Sequence, residues 1–147
     1  MKGASVSFFI AFVLMVNLQN TESRKMSMDE VNEALLPLKK ICIERVRLDP
    51  KVLDKVNKGN FVSDRKLQCY YKCMLLNTKG MSKDDRIVKQ ALVNIVELML
   101  NDNLFDPSMK ALEHCDPIIK KKGDGCELAY ELIKCIYEFD SMLLFFS

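Results

Sequence analysis

The sequence has 147 residues and a single histidine, His114, and that scarcity bears first on catalysis. Hydrolytic and transfer chemistry assembles a nucleophile, a base and an orienting group. The stretch Glu113-His114-Cys115 matches no metalloprotease or lipase motif, so His114 reads as a helix-surface residue and no enzyme is expected. Charge of one sign is missing too. Lys and Arg number 22 against 20 Asp and Glu, a net charge of +2, so no field arises that would draw nucleic acid. No Asn-x-Ser/Thr acceptor for an N-glycan occurs. Neither an internal repeat nor a low-complexity linker divides the chain, and its length suits one domain.

Long apolar runs are absent as well. Lys2 is followed by Phe8-Phe9-Ile10-Ala11-Phe12-Val13-Leu14-Met15-Val16 and then by polar residues from Asn17 to Glu22. That apolar run is about half the roughly 20 residues a membrane span requires, so no span is expected. A basic start, a short apolar stretch and a polar exit form a signal-peptide pattern. Residues 1–23 are therefore read as a signal peptide cut near 20–25, and 24–147 as one secreted domain.

What is present is cysteine. Cys42, Cys69, Cys73, Cys115, Cys126 and Cys135 make an even set beyond the signal, which in an oxidising compartment predicts three disulfides. A zinc site needs short, matched Cys or His pairs, and Cys69 with Cys73 is the one close pair. No metal or cofactor is expected. Cys69 and Cys73 lie four apart in a helical stretch, face one side, and are better placed to reach two other segments than each other. Six cysteines allow 15 pairings, and the residues alone leave the choice open.

The periodicity is helical throughout, with no strand-like alternation. Ser27 and Glu30 read as a capping box before Val31, Ala34, Leu35, Leu38, Ile41 and Cys42, and Pro37 should break that helix in two. Asp49-Pro50 opens a second helix that stops at Gly59. Ser63 or Asp64 caps a third through Leu75, with Gly80 as terminator. Ser82 is read as the cap of a fourth, apolar except for Gln90, Asn94, Glu97 and Asn101, and hence buried on several sides. Asp106-Pro107 begins a fifth, which Asp116-Pro117 ends or bends. A last helix runs from about Gly125, with Glu127, Glu131, Lys134 and Glu138 outward. The expected class is all-α, a compact bundle of about six helices.

Between successive cysteines lie 26, 3, 41, 10 and 8 residues. This spacing resembles that of the insect odorant-binding proteins over most of the chain after the signal. The resemblance implies interlocked pairs Cys42–Cys73, Cys69–Cys126 and Cys115–Cys135. It also implies a cavity among the helices for a small hydrophobic ligand, odorant, pheromone or lipid-like, carried in an extracellular fluid such as sensillum lymph, with a chemosensory receptor as a partner. Candidates for the wall are Met74 and Leu75 on the third helix, Ile87, Val88, Ala91, Leu92 and Ile95 on the fourth, then Met109, Leu112, Leu132 and Ile136. Each would serve equally as ordinary core. Tyr71, with Tyr70, Tyr130 and Tyr137, could offer a hydroxyl to an oxygenated ligand.

The chain closes on Met142-Leu143-Leu144-Phe145-Phe146-Ser147, apolar where solubility favours polar residues. In the family such a segment can lie over or inside the cavity, so the resemblance places Phe145 and Phe146 in its wall. A homodimer contact or a receptor contact would cover the same residues. A tail lid would also allow release in acid, through His114 or through Glu138 and Asp140. The rival function is that of a secreted helical interaction protein with a solid core.

Overall fold

The computed structural model describes residues 25–147, and the expected signal peptide lies outside them. Eight helices follow in order among these residues: α1 Met28–Ala34, α2 Leu36–Val46, α3 Pro50–Asn57, α4 Arg65–Asn77, α5 Lys89–Met99, α6 Asp102–His114, α7 Asp116–Ile119 and α8 Gly125–Phe139. The class is all-α, as expected. Two isolated backbone bridges are its nearest approach to sheet: Met26 with Leu100, and Met81 with Ile87.

Local chemistry explains most boundaries. The Ser27 hydroxyl accepts the Glu30 amide at 3.3 Å, and the chain turns at Leu35, ahead of Pro37, so the first helix is indeed two. Asp49 caps α3, whose end passes into Gly59 at φ +88°, a left-handed conformation that glycine adopts freely. Asp64 caps α4 through the Leu67 amide at 2.9 Å.

Three boundaries differ from the sequence reading. Gly80 does not terminate α4: Lys79 takes the left-handed turn, at φ 69°. Gly80 is instead a close approach, where a Cβ would stand 2.9 Å from the side chains of Leu75 and Leu92. Ser82 does not cap α5. Its hydroxyl bonds within its own loop, to the Asp84 carboxylate, and α5 begins seven positions later at Lys89. Asp106-Pro107 does not begin α6, because Asn101 caps it earlier through the Leu104 amide at 3.3 Å. Pro107 then sits inside the helix. The carbonyl it deprives of a donor is that of Asn103, four residues back on the exposed side, where water can replace the lost bond.

Helices α4 and α8 share the most extensive interface, with α2 also packed on α4 and with α6 and α7 against α8. Disulfides lock this arrangement: Cys42–Cys73 joins α2 to α4, Cys69–Cys126 joins α4 to α8, and Cys115–Cys135 joins the end of α6 to α8. These are the pairs the resemblance implies. They close loops of 31, 57 and 20 residues. Loops of that length remove about 3–4 kcal/mol of unfolded-chain entropy each when closed singly. Tyr70, Tyr71, Leu67, Met74 and Leu132 fill the α4–α8 seam and are almost wholly excluded from solvent.

At the start of α8, Arg65 grips Asp124 through two parallel bonds of 2.8 and 2.9 Å, while Asp124 also accepts the Glu127 amide at 2.9 Å as the helix cap. The guanidinium bond first, and the amide after it, hold this carboxyl well below the usual carboxylate range. A depressed acid stabilises the fold at every pH above its unfolded value near 4, and that contribution is lost only as pH falls through the folded value. We expect Asp124→Ala to lower the stability of the oxidised protein by about 1 kcal/mol in urea unfolding, mainly through the lost cap, since the ion pair is exposed. The difference from the parent should persist from pH 8 to 5 and vanish in strong acid.

Candidate functional site

The helices leave a cavity of about 220 Å³ between α1, α4, α5, α6, α8 and the tail. Helix α1 contributes Val31 with Leu35 behind it, and α4 contributes Leu75 and Thr78. From α5 come Leu92, Ile95, Val96 and Met99, spaced to share one helical face. Ser108 and Leu112 represent α6, Leu132, Ile133 and Ile136 represent α8, and Phe145 and Phe146 close the set.

This cavity corrects one expectation about α5. Its apolar residues are not buried on several sides: only Val96 is buried, and Leu92, Val93, Ile95 and Met99 are half-exposed. The face that carries Leu92, Ile95, Val96 and Met99 borders the cavity, so it is only partly packed against neighbours. An unfilled apolar volume of this size costs on the order of 5 kcal/mol, an amount that one or two of the disulfides offset.

Of the fourteen residues singled out in the sequence, eight stand around the cavity: Leu75, Leu92, Ile95, Leu112, Leu132, Ile136, Phe145 and Phe146. The other six do not. Met74 is fully buried in the core, turned one residue away from the face that carries Leu75 and Thr78. Ile87 and Val88 precede α5, in the loop that Met81 and Ile87 pinch together. Ala91 and Met109 stand beside lining residues on their helices, next to Leu92 and Ser108, but are not themselves part of the wall. Tyr71 is wholly buried between Tyr70 and Tyr130, with ring centroids at 5.4 and 6.4 Å, so its hydroxyl is not offered to the cavity.

The residues not anticipated are Val31, Leu35, Thr78, Val96, Met99, Ser108 and Ile133. Helical spacing carried a usable signal for Ser108: Leu104, Ser108, Ala111 and Leu112 form the buried stripe of α6. Met109, the neighbour of Ser108 in sequence, is not part of the wall.

The tail is folded back onto its own chain. After Asp140 the backbone leaves α8, Leu143 becomes fully buried and Phe146 nearly so, and Met142 alone among the apolar tail residues is exposed. Asn32 holds it from α1 with both ends of its amide, donating to the Leu144 carbonyl at 3.0 Å and accepting from the Phe146 amide at 3.0 Å. The buried Tyr70 hydroxyl donates to the Phe146 carbonyl at 2.8 Å, and Lys39 donates to the Ser147 main-chain oxygen at 2.8 Å. Burial holds the Tyr70 phenol far above its ordinary pKa, so it remains a donor at any working pH. Phe146 has φ 64°, uncommon for a bulky side chain, and both of its backbone polar groups are pinned. His114, by contrast, is exposed, with its ring 5.0 Å from that of Phe139 and away from this clamp.

The sequence model of the PBP/GOBP family matches residues 24–139. General odorant-binding protein 72 of Anopheles gambiae is 22% identical over 117 residues, covering 80% of this chain and 96% of that protein. Odorant binding protein 5 of Apis mellifera has a similar structure, with TM-score 0.70 at 20% identity over 84% of this chain and 98% of that one. Odorant Binding Protein 7 of Anopheles gambiae, solved with four disulfide bridges in complex with an azo compound, gives TM-score 0.66 at 22% identity over 80% and 92%.

Replacing Asn32 with Ala removes both amide contacts to the tail, and we expect a loss of about 1–2 kcal/mol in stability. Amide exchange should accelerate at Phe146 while the α4 amides stay protected, which NMR hydrogen exchange would read directly.

Proposed function

The chain belongs to the PBP/GOBP family, and on that premise we propose that it is a secreted carrier. In this reading it takes one small hydrophobic molecule reversibly into the cavity and delivers it to a receptor or a membrane. The observation that carries the reading is the cavity itself: about 220 Å³ with thirteen apolar residues among the fifteen that line it. Apolar voids of this kind stay dry and take up apolar guests. A guest restores the dispersion contacts that the wall lacks when the space is empty. Odorant Binding Protein 7 of Anopheles gambiae, which shares the fold, was solved with an azo compound. That supports the same use of the interior here.

The size of the space sets the ligand class. Ligand pockets usually occupy roughly 300–1,000 Å³, so this one suits a compact molecule. A ligand of about 15 heavy atoms, contributing roughly 0.5 kcal/mol each, binds with a dissociation constant of a few micromolar, and smaller ones bind more weakly, which suits release as well as uptake. Secretion is supported by the family and by the apolar stretch Phe8 to Val16. The three disulfides fit an oxidising fluid. Phe145 and Phe146 make the tail both a wall and a limit on volume.

Displacement of N-phenyl-1-naphthylamine tests the reading. The folded, oxidised protein should bind this apolar fluorophore saturably, one per chain, and release it to small apolar competitors. A folded sample with no uptake would favour the helical interaction protein instead. Removal of residues 142–147 should shift preference toward bulkier competitors, because Phe145 and Phe146 no longer bound the space. Unchanged size selectivity would mean that the tail is not part of the site.

A further inference from the structure

The cavity wall contains one hydroxyl with nothing to bond. Ser108 is 3% exposed, lies on the inward stripe of α6 and faces the cavity beside Leu112, and its Oγ has no hydrogen-bond partner among the described residues. A buried hydroxyl without a partner is unfavourable, and native folds keep few of them. The other polar residue of the wall is in a different condition. The Thr78 hydroxyl donates to the Met74 carbonyl at 2.9 Å, so its proton is committed and only its lone pairs are available. Ser108 is therefore the side chain of the wall with a proton to give.

Water is a poor candidate for that proton. A buried water typically makes about three hydrogen bonds, and beside Ser108 the wall provides one other polar side chain, Thr78, whose proton is already committed. A ligand oxygen needs one. We propose that the cavity selects molecules bearing a single carbonyl oxygen, as a ketone, aldehyde or ester, on an otherwise hydrocarbon frame, and that Ser108 donates the hydrogen bond that recognises it. The inference rests on the carrier reading, and it adds a polarity and an orientation to the ligand class. The carbonyl lies against α6, and the hydrocarbon extends along Leu92, Ile95 and Ile136.

The test compares 2-nonanone with 2-methyl-1-nonene, molecules of the same shape in which a carbonyl oxygen replaces a methylene. Both compete for N-phenyl-1-naphthylamine on the parent protein, on Ser108→Ala and on Thr78→Val. Alanine suits a helix interior, so Ser108→Ala should fold and still bind the fluorophore. The ketone-to-alkene affinity ratio is expected to fall about three- to tenfold in Ser108→Ala and to stay at the parent value in Thr78→Val. An equal ratio in parent and Ser108→Ala, with both competitors binding, overturns the assignment and leaves the carrier reading standing. A ratio that moves with Thr78→Val alone also overturns it, in favour of a rotated threonine hydroxyl. If the fluorophore does not bind the parent at all, the carrier reading fails and this one falls with it.

Discussion

Helix α4 carries Cys69 and Cys73 one helical turn apart, and residues at that spacing project from the same side of a helix. One bonds back to α2 and the other forward to α8. The same helix sends Tyr70 into the seam with α8, and the Tyr70 hydroxyl reaches the Phe146 carbonyl. A single element thus fixes the first part of the chain, the last helix and the tail with respect to one another. Helices α5 and α6 are held differently: the end of α6 is tied to α8 through Cys115–Cys135, and α5 packs mainly on α6. Three of the helices that line the cavity, α4, α6 and α8, are thus joined by disulfides, so the interior can remain underfilled without those helices collapsing into it.

The empty space and the tail depend on each other. Phe145 and Phe146 complete the wall, yet they are kept there by polar contacts rather than by close packing alone. Asn32 imitates a strand partner with its side-chain amide, donating to one main-chain group of the tail and accepting from another. Asn32 carries no ionisable group, and burial raises the phenol of Tyr70, so neither of these two clamping side chains changes charge between neutral and mildly acid pH. The exposed position of His114 against Phe139 gives that histidine no direct hold on the tail. Small apolar ligands bind by occupying volume, so the segment that bounds the volume is also the segment that sets which ligands fit.

The cysteine spacing made the fold legible, because disulfides join positions whose separations along the chain are fixed by the frame, whatever the other residues become. Caps with a local mechanism were also readable: Ser27, Asp49, Asp64 and the start at Gly125. Reading failed where tertiary contacts decided. Lys79 accepts the left-handed turn because Gly80 is needed for close contact with Leu75 and Leu92, and Ser82 spends its hydroxyl inside a loop. The wall was half legible for a related reason. Core and cavity lining require the same apolar stripe, so Met74 and Leu75 look alike in sequence although they face different surroundings. Ser108 has the spacing of the buried stripe of α6, but a serine there resembles a solvated position more than a wall.

The account stands on a guest entering this particular space. Methyl-resolved NMR of the folded, oxidised protein, titrated with N-phenyl-1-naphthylamine, reports that most directly. Resonances of Ile95, Ile133 and Ile136, which line the cavity, should shift together and saturate at one equivalent. Ile41, half-exposed on α2 and not among the lining residues, should stay in place. Saturable binding with the isoleucines of the cavity unmoved, or with shifts confined to Ile41 and the exposed Leu98, would contradict it.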